Sequence, residues 1–156
     1  MISAVDTNVL LDVLALEGPN TELSKALLAD ALEQGELVIC EPVYAELSSR
    51  FASRSDLTTF TARVGVRLAL SDERVLHTAG AAWQRYSARR LRGLQCPSCG
   101  ANNRVACSRC ETPLSVRQHI IADFIIGAHA QLRAERLLTR DKGYYRTYFP
   151  ELTLVS

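Results

Sequence analysis

The sequence predicts an α/β fold in which helices cover both faces of a mainly parallel sheet. Short apolar runs alternate along the chain with segments whose apolar residues recur at helical spacing, which is typical of such folds. The 156 residues suffice for one hydrophobic core but not for two. Apolar residues make up 47% of the chain and charged residues 22%, which indicates a globular protein. We therefore expect a single domain over residues 1–156.

The first half of the chain predicts two strands and three helices. The strands are Ile2–Val5 and Leu37–Cys40, and the helices are Asn8–Leu14, Thr21–Glu33 and Val43–Leu47. Ile2–Val5 is a short apolar run that ends at an Asp, and Leu37–Cys40 is a continuous apolar run, which indicates burial on both faces. Gly18-Pro19 ends the first helix, Gly35 ends the second, and Pro42 suits the first turn of the third.

The second half predicts helices, a cysteine-rich insertion, and a return to helix and strand. The helices are Leu57–Val66, Asp72–Arg92 and Ser115–Glu135, and the strands are Leu137–Thr139 and Leu152–Val155. Ser71 is a suitable N-cap for the second helix. A break near Ala122-Asp123 is an alternative for the third, and Lys142-Gly143 is expected to form a turn. Residues 95–113 show little apolar periodicity and predict an insertion within the domain.

No segment predicts a membrane span or a secretory signal. No apolar run approaches the roughly 20 residues that a span requires. Met1–Asp6 contains no basic region before a long apolar stretch. We expect a cytoplasmic protein in a reducing compartment, where disulfides are rare. Cys40, within an apolar stretch, is expected to be buried as a free thiol.

The net charge of +1 hides an uneven distribution. Residues 85–117 contain seven arginines and one acid, a local charge of +6, whereas the other residues, eleven basic and sixteen acidic, carry −5. A basic segment on an acidic body indicates a polyanionic partner. A solvated, arginine-rich helix end is the alternative, and charge alone does not separate the two.

The remaining four cysteines form two CxxC motifs separated by seven residues: Cys96, Cys99, Cys107 and Cys110. Four thiolates in this pattern can bind one tetrahedral ion, and closed four-cysteine sites usually hold structural Zn²⁺. Iron in a similar site and a redox dithiol are the alternatives. The spacer is shorter than in usual zinc ribbons. It predicts a compact hairpin with Asn102-Asn103 near its tip.

Bound zinc is expected to supply the folding energy of this zinc-ribbon insertion, because too few apolar residues lie between Gln95 and Glu111 to build a core. Two hypotheses follow for its purpose. The metal only staples the loop, or the ribbon also presents Arg92, Arg104 and Arg109 to RNA phosphates.

Four acids occupy positions suited to a site. Asp6 follows the first strand and Asp141 follows the strand that ends at Thr139, where open α/β sheets place their sites. Glu46 lies one turn into the helix after the second strand, and Asp123 opens an apolar helix. Any one of these acids is more often a helix cap or turn residue, so the combination carries the information.

The segments around these acids resemble the PIN domains, and within them the VapC-type toxins of bacterial and archaeal type II toxin–antitoxin systems. The matching segments are Val5–Leu11 (VDTNVLL), Glu41–Leu47 (EPVYAEL), Ala122–Ala130 (ADFIIGAHA), Leu138–Asp141 (LTRD) and Gly143–Pro150 (GYYRTYFP). They span nearly the whole chain in the family's order. The resemblance implies a PIN-like three-layer α/β/α fold. Most VapC-type toxins lack an insertion such as this one.

The resemblance also implies that Asp6, Glu46, Asp123 and Asp141 converge in one acidic pocket. Carboxylate oxygens suit Mg²⁺ or Mn²⁺, which would relieve the repulsion between the acids, activate a water and neutralise charge on a phosphate. Asp6 and Asp123 are then the principal metal ligands, with Glu46 as a ligand or a group behind it. Asp141 holds a second metal or orients the attacking water.

Three polar residues are expected to fix these carboxylates by hydrogen bonds: Thr7, Asn8 and Thr139. Asp12 is an alternative ligand, although its position on a helix favours a solvated role. The three histidines are too scattered to predict a histidine metal site, and only His119 comes near an acid of the pocket.

The function that the resemblance implies is a metal-dependent endoribonuclease acting as a toxin. It would be a homodimer, inhibited by a small antitoxin whose tail enters the acidic pocket. Two alternatives stay open: a PIN-plus-ribbon nuclease of RNA processing that is not a toxin, and a non-catalytic RNA-binding module. The presence of all four acids argues against the latter.

Overall fold

The fold is organised around a five-stranded parallel sheet. A computed structural model describes residues 1–15, 17–89, 94–112 and 120–156. The strands of the sheet are β1 (Ile2–Val5), β2 (Glu36–Ile39), β3 (Val66–Leu68), β6 (Arg136–Leu138) and β7 (Leu154–Val155), and β4 (Leu94–Gln95) and β5 (Asn102–Asn103) form a separate antiparallel pair. The strand order is β3-β2-β1-β6-β7, and every neighbouring pair is parallel. β1 is therefore the central strand.

Helices cover both faces of this sheet. Among the described residues they are α1 (Thr7–Leu14), α2 (Thr21–Gln34), α3 (Glu41–Ser48), α4 (Arg54–Val64), α5 (Glu73–Arg89), α6 (Ile121–Arg133) and α7 (Lys142–Tyr148). Successive residues Leu37, Val38 and Ile39 of β2 are all buried although their side chains point to opposite faces. Both faces are thus covered, which confirms the predicted three-layer α/β/α fold with a mainly parallel sheet. No helix within the described ranges is long and apolar enough to cross a membrane.

The sequence did not predict β3. The predicted helix ran to Val66, whereas α4 ends at Val64 and Gly65 turns the chain with φ 77°. β3 is an edge strand of three residues of which only Val66 is buried. A segment this short has no measurable periodicity, so its pairing with β2 depends on the rest of the sheet.

The predicted turn at Lys142-Gly143 is wrong, because these residues begin α7. The Asp141 side chain accepts a hydrogen bond from the Tyr144 amide at 3.2 Å and caps this helix. Glycine is a poor helix former, and the helix is held by packing of its buried tyrosines rather than by local preference.

The prediction of one continuous helix over residues 115–135 is wrong at Ile120, whose backbone is extended with φ −117° and ψ 170°, and the alternative of a break near Ala122-Asp123 is confirmed to within two residues. α6 begins at Ile121 and continues to Arg133. The Ile120 amide donates to Asp123 Oδ2 at 2.7 Å, which is an arrangement of a helix start. Residues 115–119 of the predicted helix lie outside the described residues.

The hairpin of the insertion is oriented differently from the prediction. Asn102–Asn103 is not near the tip but forms β5, paired with β4. The first CxxC motif forms the loop between these strands, and Gly100 adopts a left-handed conformation with φ 77°. The chain therefore reverses direction within the first CxxC motif, before Asn102–Asn103, where the sequence had predicted the tip of the hairpin.

An aromatic cluster joins the last helices around Phe124 of α6. Its ring centroid lies 5.3 Å from that of Trp83 and 5.4 Å from that of Tyr86 on α5. On α7, the rings of Tyr144 and Tyr148 lie 5.2 and 5.5 Å from it. This cluster seats α7 on α6 and so sets the position of the residues that precede α7.

We predict that Gly127→Ala destabilises the fold by about 1–3 kcal/mol, the usual cost of overpacking a core. A Cβ at Gly127 of α6 would lie 2.6 Å from Cδ2 and 2.8 Å from Cζ of the buried Phe149 ring. Urea unfolding followed by circular dichroism measures the change.

The matched control is Gly80→Ala on α5, where a Cβ would meet nothing within 4 Å. It should be neutral or stabilise by about 0.5–1 kcal/mol. Equal free energies of unfolding for the two variants would contradict the close packing of α6 on Phe149.

Candidate active site

The carboxylate of Asp6 lies at the end of the central strand. β1 and β6 pair with Val5 opposite Leu138, and the Asp6 amide donates to the Leu138 carbonyl at 3.0 Å. This register places Asp6 beside Thr139, which follows Leu138. Only 7% of Asp6 is exposed, so its charge is largely removed from water.

Two side chains hold one oxygen of this carboxylate. The Thr139 hydroxyl donates to Asp6 Oδ2 at 2.6 Å, and Asn8 Nδ2 donates to the same oxygen at 2.8 Å. Thr139 Oγ1 also accepts from Asn8 Nδ2 at 3.3 Å and from the Asp141 amide at 3.0 Å. The single donor and both lone pairs of the hydroxyl are thereby used. These bonds fix Asp6 and connect it to Asp141.

Two further acids lie at helix starts. Asp123 is in the first turn of α6 and accepts from the Ile120 amide, while Asp141 precedes α7 and accepts from the Tyr144 amide. Both carboxylates are half-buried. Each one stabilises the start of its helix and is oriented by it, so the structural and functional interpretations of these acids are compatible.

The fourth acid, Glu46, is held from the helix that follows Asp6. Thr7, the first residue of α1, donates its hydroxyl to Glu46 Oε2 across to α3. Glu46 is half-buried. All three residues predicted to fix carboxylates, Thr7, Asn8 and Thr139, therefore contact an acid of the set.

The charges of the four acids act on one another or on a common neighbour. Burial raises the pKa of Asp6 to about 6, and the negative charges of Asp123 and Glu46 contribute to the increase. Burial, together with the charges of Asp123 and Asp141, raises the pKa of Tyr144 above its ordinary value. Like charges this close make ionisation of Asp6 unfavourable.

The acids do not form a preformed metal cage. Across the described ranges, no three His, Cys, Asp or Glu side chains lie close enough together to hold a metal ion, which applies to the acids and to the cysteines alike. The donor chemistry of the acids fits a hard divalent cation, for which carboxylate oxygens are preferred ligands. Such a cation would offset the cost of ionising Asp6 beside two other carboxylates.

Asp12 has a structural role. Its Oδ2 lies 2.9 Å from Arg140 Nε and accepts from the Ser24 hydroxyl at 2.8 Å. His129 is buried on α6 with its Nδ1 3.2 Å from Ser71 Oγ, and burial lowers its pKa. His119 lies outside the described residues.

Arg140 is a residue that the sequence analysis missed. Its guanidinium donates to the Asn8 carbonyl at 3.3 Å and pairs with Asp12, while its amide donates to Asn8 Oδ1 at 3.2 Å. It thereby orients the side chain that holds Asp6. The sequence feature that could have identified Arg140 is its position between Thr139 and Asp141, two residues of the candidate site.

The two CxxC motifs fold into equivalent turns, which we call the first knuckle (Cys96–Ala101) and the second knuckle (Cys107–Thr112). The amide of the leading cysteine donates to the carbonyl five residues later, at 2.7 Å in the first knuckle and 2.9 Å in the second. Its carbonyl accepts from the amide four residues later, at 2.8 Å in both. That later residue is left-handed in each, Gly100 with φ 77° and Glu111 with φ 59°.

Hydrogen bonds in both knuckles favour the thiolate. The backbone amides of Cys99 and Ser98 lower the pKa of the Cys96 thiol. The hydroxyl and amide of Thr112 lower the pKa of Cys110, whose Sγ lies 3.3 Å from Thr112 Oγ1. The thiolate is the form that binds metal, so the donor chemistry of each knuckle fits a metal ion.

The arginines of the basic segment have different environments. Arg104 and Arg109, predicted to contact RNA, are exposed on the insertion. Arg92 lies outside the described residues. Arg85 donates to the Tyr148 carbonyl at 3.1 Å and joins α5 to α7, which is a structural role.

Comparison with known proteins identifies one family and several similar solved structures, of which two are described. The profile of the PIN domain matches residues 4–150. The chain resembles VapBC-1 from nontypeable Haemophilus influenzae with a TM-score of 0.63 and 17% identity, covering 100% of this chain and 98% of that one. It resembles VapBC2 from Rickettsia felis, bound to a DNA fragment from their promoter, with a TM-score of 0.58 and 16% identity, covering 99% and 98%. No curated protein matches the sequence.

We predict that Asp6→Asn stabilises the protein at neutral pH when no divalent cation is added. Folding raises the pKa of Asp6 from 3.8 to about 6. Its contribution to stability is therefore present below pH 4 and is lost as the pH rises through about 6. Asn keeps the shape without the charge, so the free energy of unfolding should rise by about 1–3 kcal/mol at pH 7.5 and change little near pH 4.

Urea unfolding at the two pH values measures this difference. Asp30→Asn on α2, which removes an exposed acid, is the matched control and should change little at either pH. A variant of Asp6 that is less stable than the wild type at pH 7.5 would show that its hydrogen bonds outweigh the cost of its charge.

Proposed function

This chain belongs to the PIN domain family, and from that premise we propose that it is a Mg²⁺- or Mn²⁺-dependent endoribonuclease that acts as the toxin of a toxin–antitoxin pair. The observation that supports it best is the buried carboxylate of Asp6, whose ionisation is opposed by Asp123 and Glu46. A buried carboxylate does not stabilise an apolar core, whereas a site for a divalent cation needs carboxylate ligands.

In the proposed mechanism, Asp6 and Asp123 would hold the cation, with Glu46 as a further ligand or directly behind it. A divalent cation supplies positive charge for the phosphodiester and the attacking water. Thr139 and Asn8 keep the Asp6 carboxylate in one orientation, and Thr7 does the same for Glu46.

Asp141 is proposed to orient the attacking water. Its amide is fixed by Thr139 and its Oδ1 by the Tyr144 amide, so its carboxylate has a defined direction relative to Asp6. A carboxylate in this place can accept a hydrogen bond from the water and align it for in-line attack on phosphorus.

We also propose that Cys96, Cys99, Cys107 and Cys110 bind one structural Zn²⁺. The matched turns of the two knuckles and the lowered pKa values of Cys96 and Cys110 support this proposal. Exposed Arg104 and Arg109 are then available to RNA phosphates, which would add a salt-dependent contribution to substrate affinity.

The proposed antitoxin has a suitable docking groove on the body of the domain. Val13 and Leu14 of α1 and Phe51, Phe60 and Val64 near α4 line a cavity of about 580 Å³. An apolar helix face fits such a groove. The two solved structures compared above are VapBC structures, which supports an antitoxin as the occupant. A homodimer is the assembly that the family resemblance implies.

We predict that the purified protein cleaves RNA only with added Mg²⁺ or Mn²⁺. Asp6→Asn should reduce the cleavage rate at least roughly 100-fold, because losing a metal ligand should cost more than losing a residue that only orients a ligand. Total RNA and transfer RNA are the substrates. Asp30→Asn should cleave at the wild-type rate.

Folded, cation-supplied protein that binds RNA without cutting it, in both the wild type and Asp6→Asn, would favour the non-catalytic module. Growth arrest on expression, relieved by Asp6→Asn, favours the toxin over an RNA-processing nuclease.

The zinc proposal is tested separately by elemental analysis. The full chain should contain one zinc per molecule, and Cys107→Ser should lose it because three thiolates bind zinc less tightly than four. Cys40→Ser, which changes the buried cysteine outside the motifs, should retain it. Iron in place of zinc, or no metal in the wild type, would refute the assignment.

A further inference from the structure

The first knuckle lies directly against the start of α7. The Gly143 amide donates to the Pro97 carbonyl at 2.7 Å. A Cβ at position 143 would lie 2.5 Å from the Cys96 carbonyl oxygen, 2.5 Å from the Gly100 amide nitrogen and 2.8 Å from the Pro97 carbonyl oxygen. Three backbone atoms cannot move aside as a flexible side chain would. The contact is therefore possible only because residue 143 is glycine.

A series of contacts leads from this point to the acids. Gly143 is followed by Tyr144, whose amide donates to Asp141 Oδ1 at 3.2 Å. The Asp141 amide donates to Thr139 Oγ1 at 3.0 Å, and the Thr139 hydroxyl donates to Asp6 Oδ2 at 2.6 Å. The first knuckle thus supports the turn of backbone from which Asp141 is presented.

The second knuckle is not part of this contact. Its hydrogen bonds to other described residues stay within it. A substitution at Cys110 therefore changes no residue that touches α7, while it removes one of the four thiolates. Any effect of this substitution on α7 must then pass through the metal and the first knuckle.

We propose that the first knuckle is a positioning element of the acidic site, which holds the start of α7 and thereby Asp141 in place, so that metal bound by the four cysteines sets the competence of the carboxylate pocket. The proposal rests on the proposed function for its effect on cleavage. The contact at Gly143 supports the positioning role independently of activity. This role differs from that of a ribbon that only stabilises its own loop or only binds RNA.

The direct test compares Gly143→Ala with Gly80→Ala in the full chain. Gly143→Ala should retain its zinc and its circular dichroism spectrum. It should bind Mn²⁺ at least about 10-fold more weakly, because a displaced Asp141 amide no longer holds the Thr139 hydroxyl that orients the proposed metal ligand Asp6. Manganese titration followed by electron paramagnetic resonance measures this affinity. Gly80→Ala, whose Cβ meets no neighbour, should bind Mn²⁺ as the wild type does.

Cleavage kinetics separate positioning from RNA attraction. A positioning role predicts a lower kcat for Gly143→Ala with little change in KM, whereas a ribbon that only binds RNA would raise KM and leave kcat and Mn²⁺ affinity unchanged. Wild-type Mn²⁺ affinity in zinc-loaded Gly143→Ala would overturn the proposal.

A second variant covers the case in which Gly143→Ala does not fold. Hydrogen exchange in Cys110→Ser should be at least tenfold faster than in the wild type for the amides of residues 143–148, with β1 and β2 unchanged. Equal exchange in α7 would refute the coupling. If the wild type cleaves no RNA, the proposed function fails, but Mn²⁺ affinity and hydrogen exchange still decide whether the knuckle positions Asp141.

Discussion

The candidate site depends on a carboxylate that is buried at the end of the central strand of the sheet. β1 lies between β2 and β6, so the residue after β1 has a neighbouring strand on either side of it within the sheet. Thr139 and Asn8 satisfy one oxygen of Asp6, yet burial still raises the pKa of Asp6 to about 6. Such a group costs stability, which supports the cation-binding role that we propose for it. The rest of the site is arranged around it.

Two of the other acids, Asp123 and Asp141, lie at helix starts and combine two roles in one residue. Asp123 and Asp141 accept backbone amides at the first turns of α6 and α7, and those bonds also fix the direction of each carboxylate. The site is therefore as rigid as the helices that carry it. α7 has only seven residues and is seated on α6 by its tyrosines, so it is the element of the site most dependent on its neighbours.

The insertion is built from hydrogen-bonded turns and paired cysteines, whereas the rest of the domain is built around an apolar core. Its two knuckles repeat one backbone arrangement, and the first of them packs on Gly143 without intervening side chains. A small module that touches the domain beside an acid of the site can affect chemistry without contributing a reacting group.

The sequence by itself determined the features that depend on local pattern: the buried strands β1, β2 and β6, the helices with strong apolar spacing, the four acids as candidates, and the paired cysteines. Tertiary structure decided the features that depend on distant partners. β3 pairs with the edge of β2, and α7, which contains a glycine, packs on α6 and contacts the first knuckle at Gly143. The Asp6–Thr139 bond requires pairing in one register between residues 133 apart in sequence, since Val5 must lie opposite Leu138. Spacing reports which residues share a face of one element, but only packing decides which elements meet, because contact energies between distant segments outweigh local preferences of short ones.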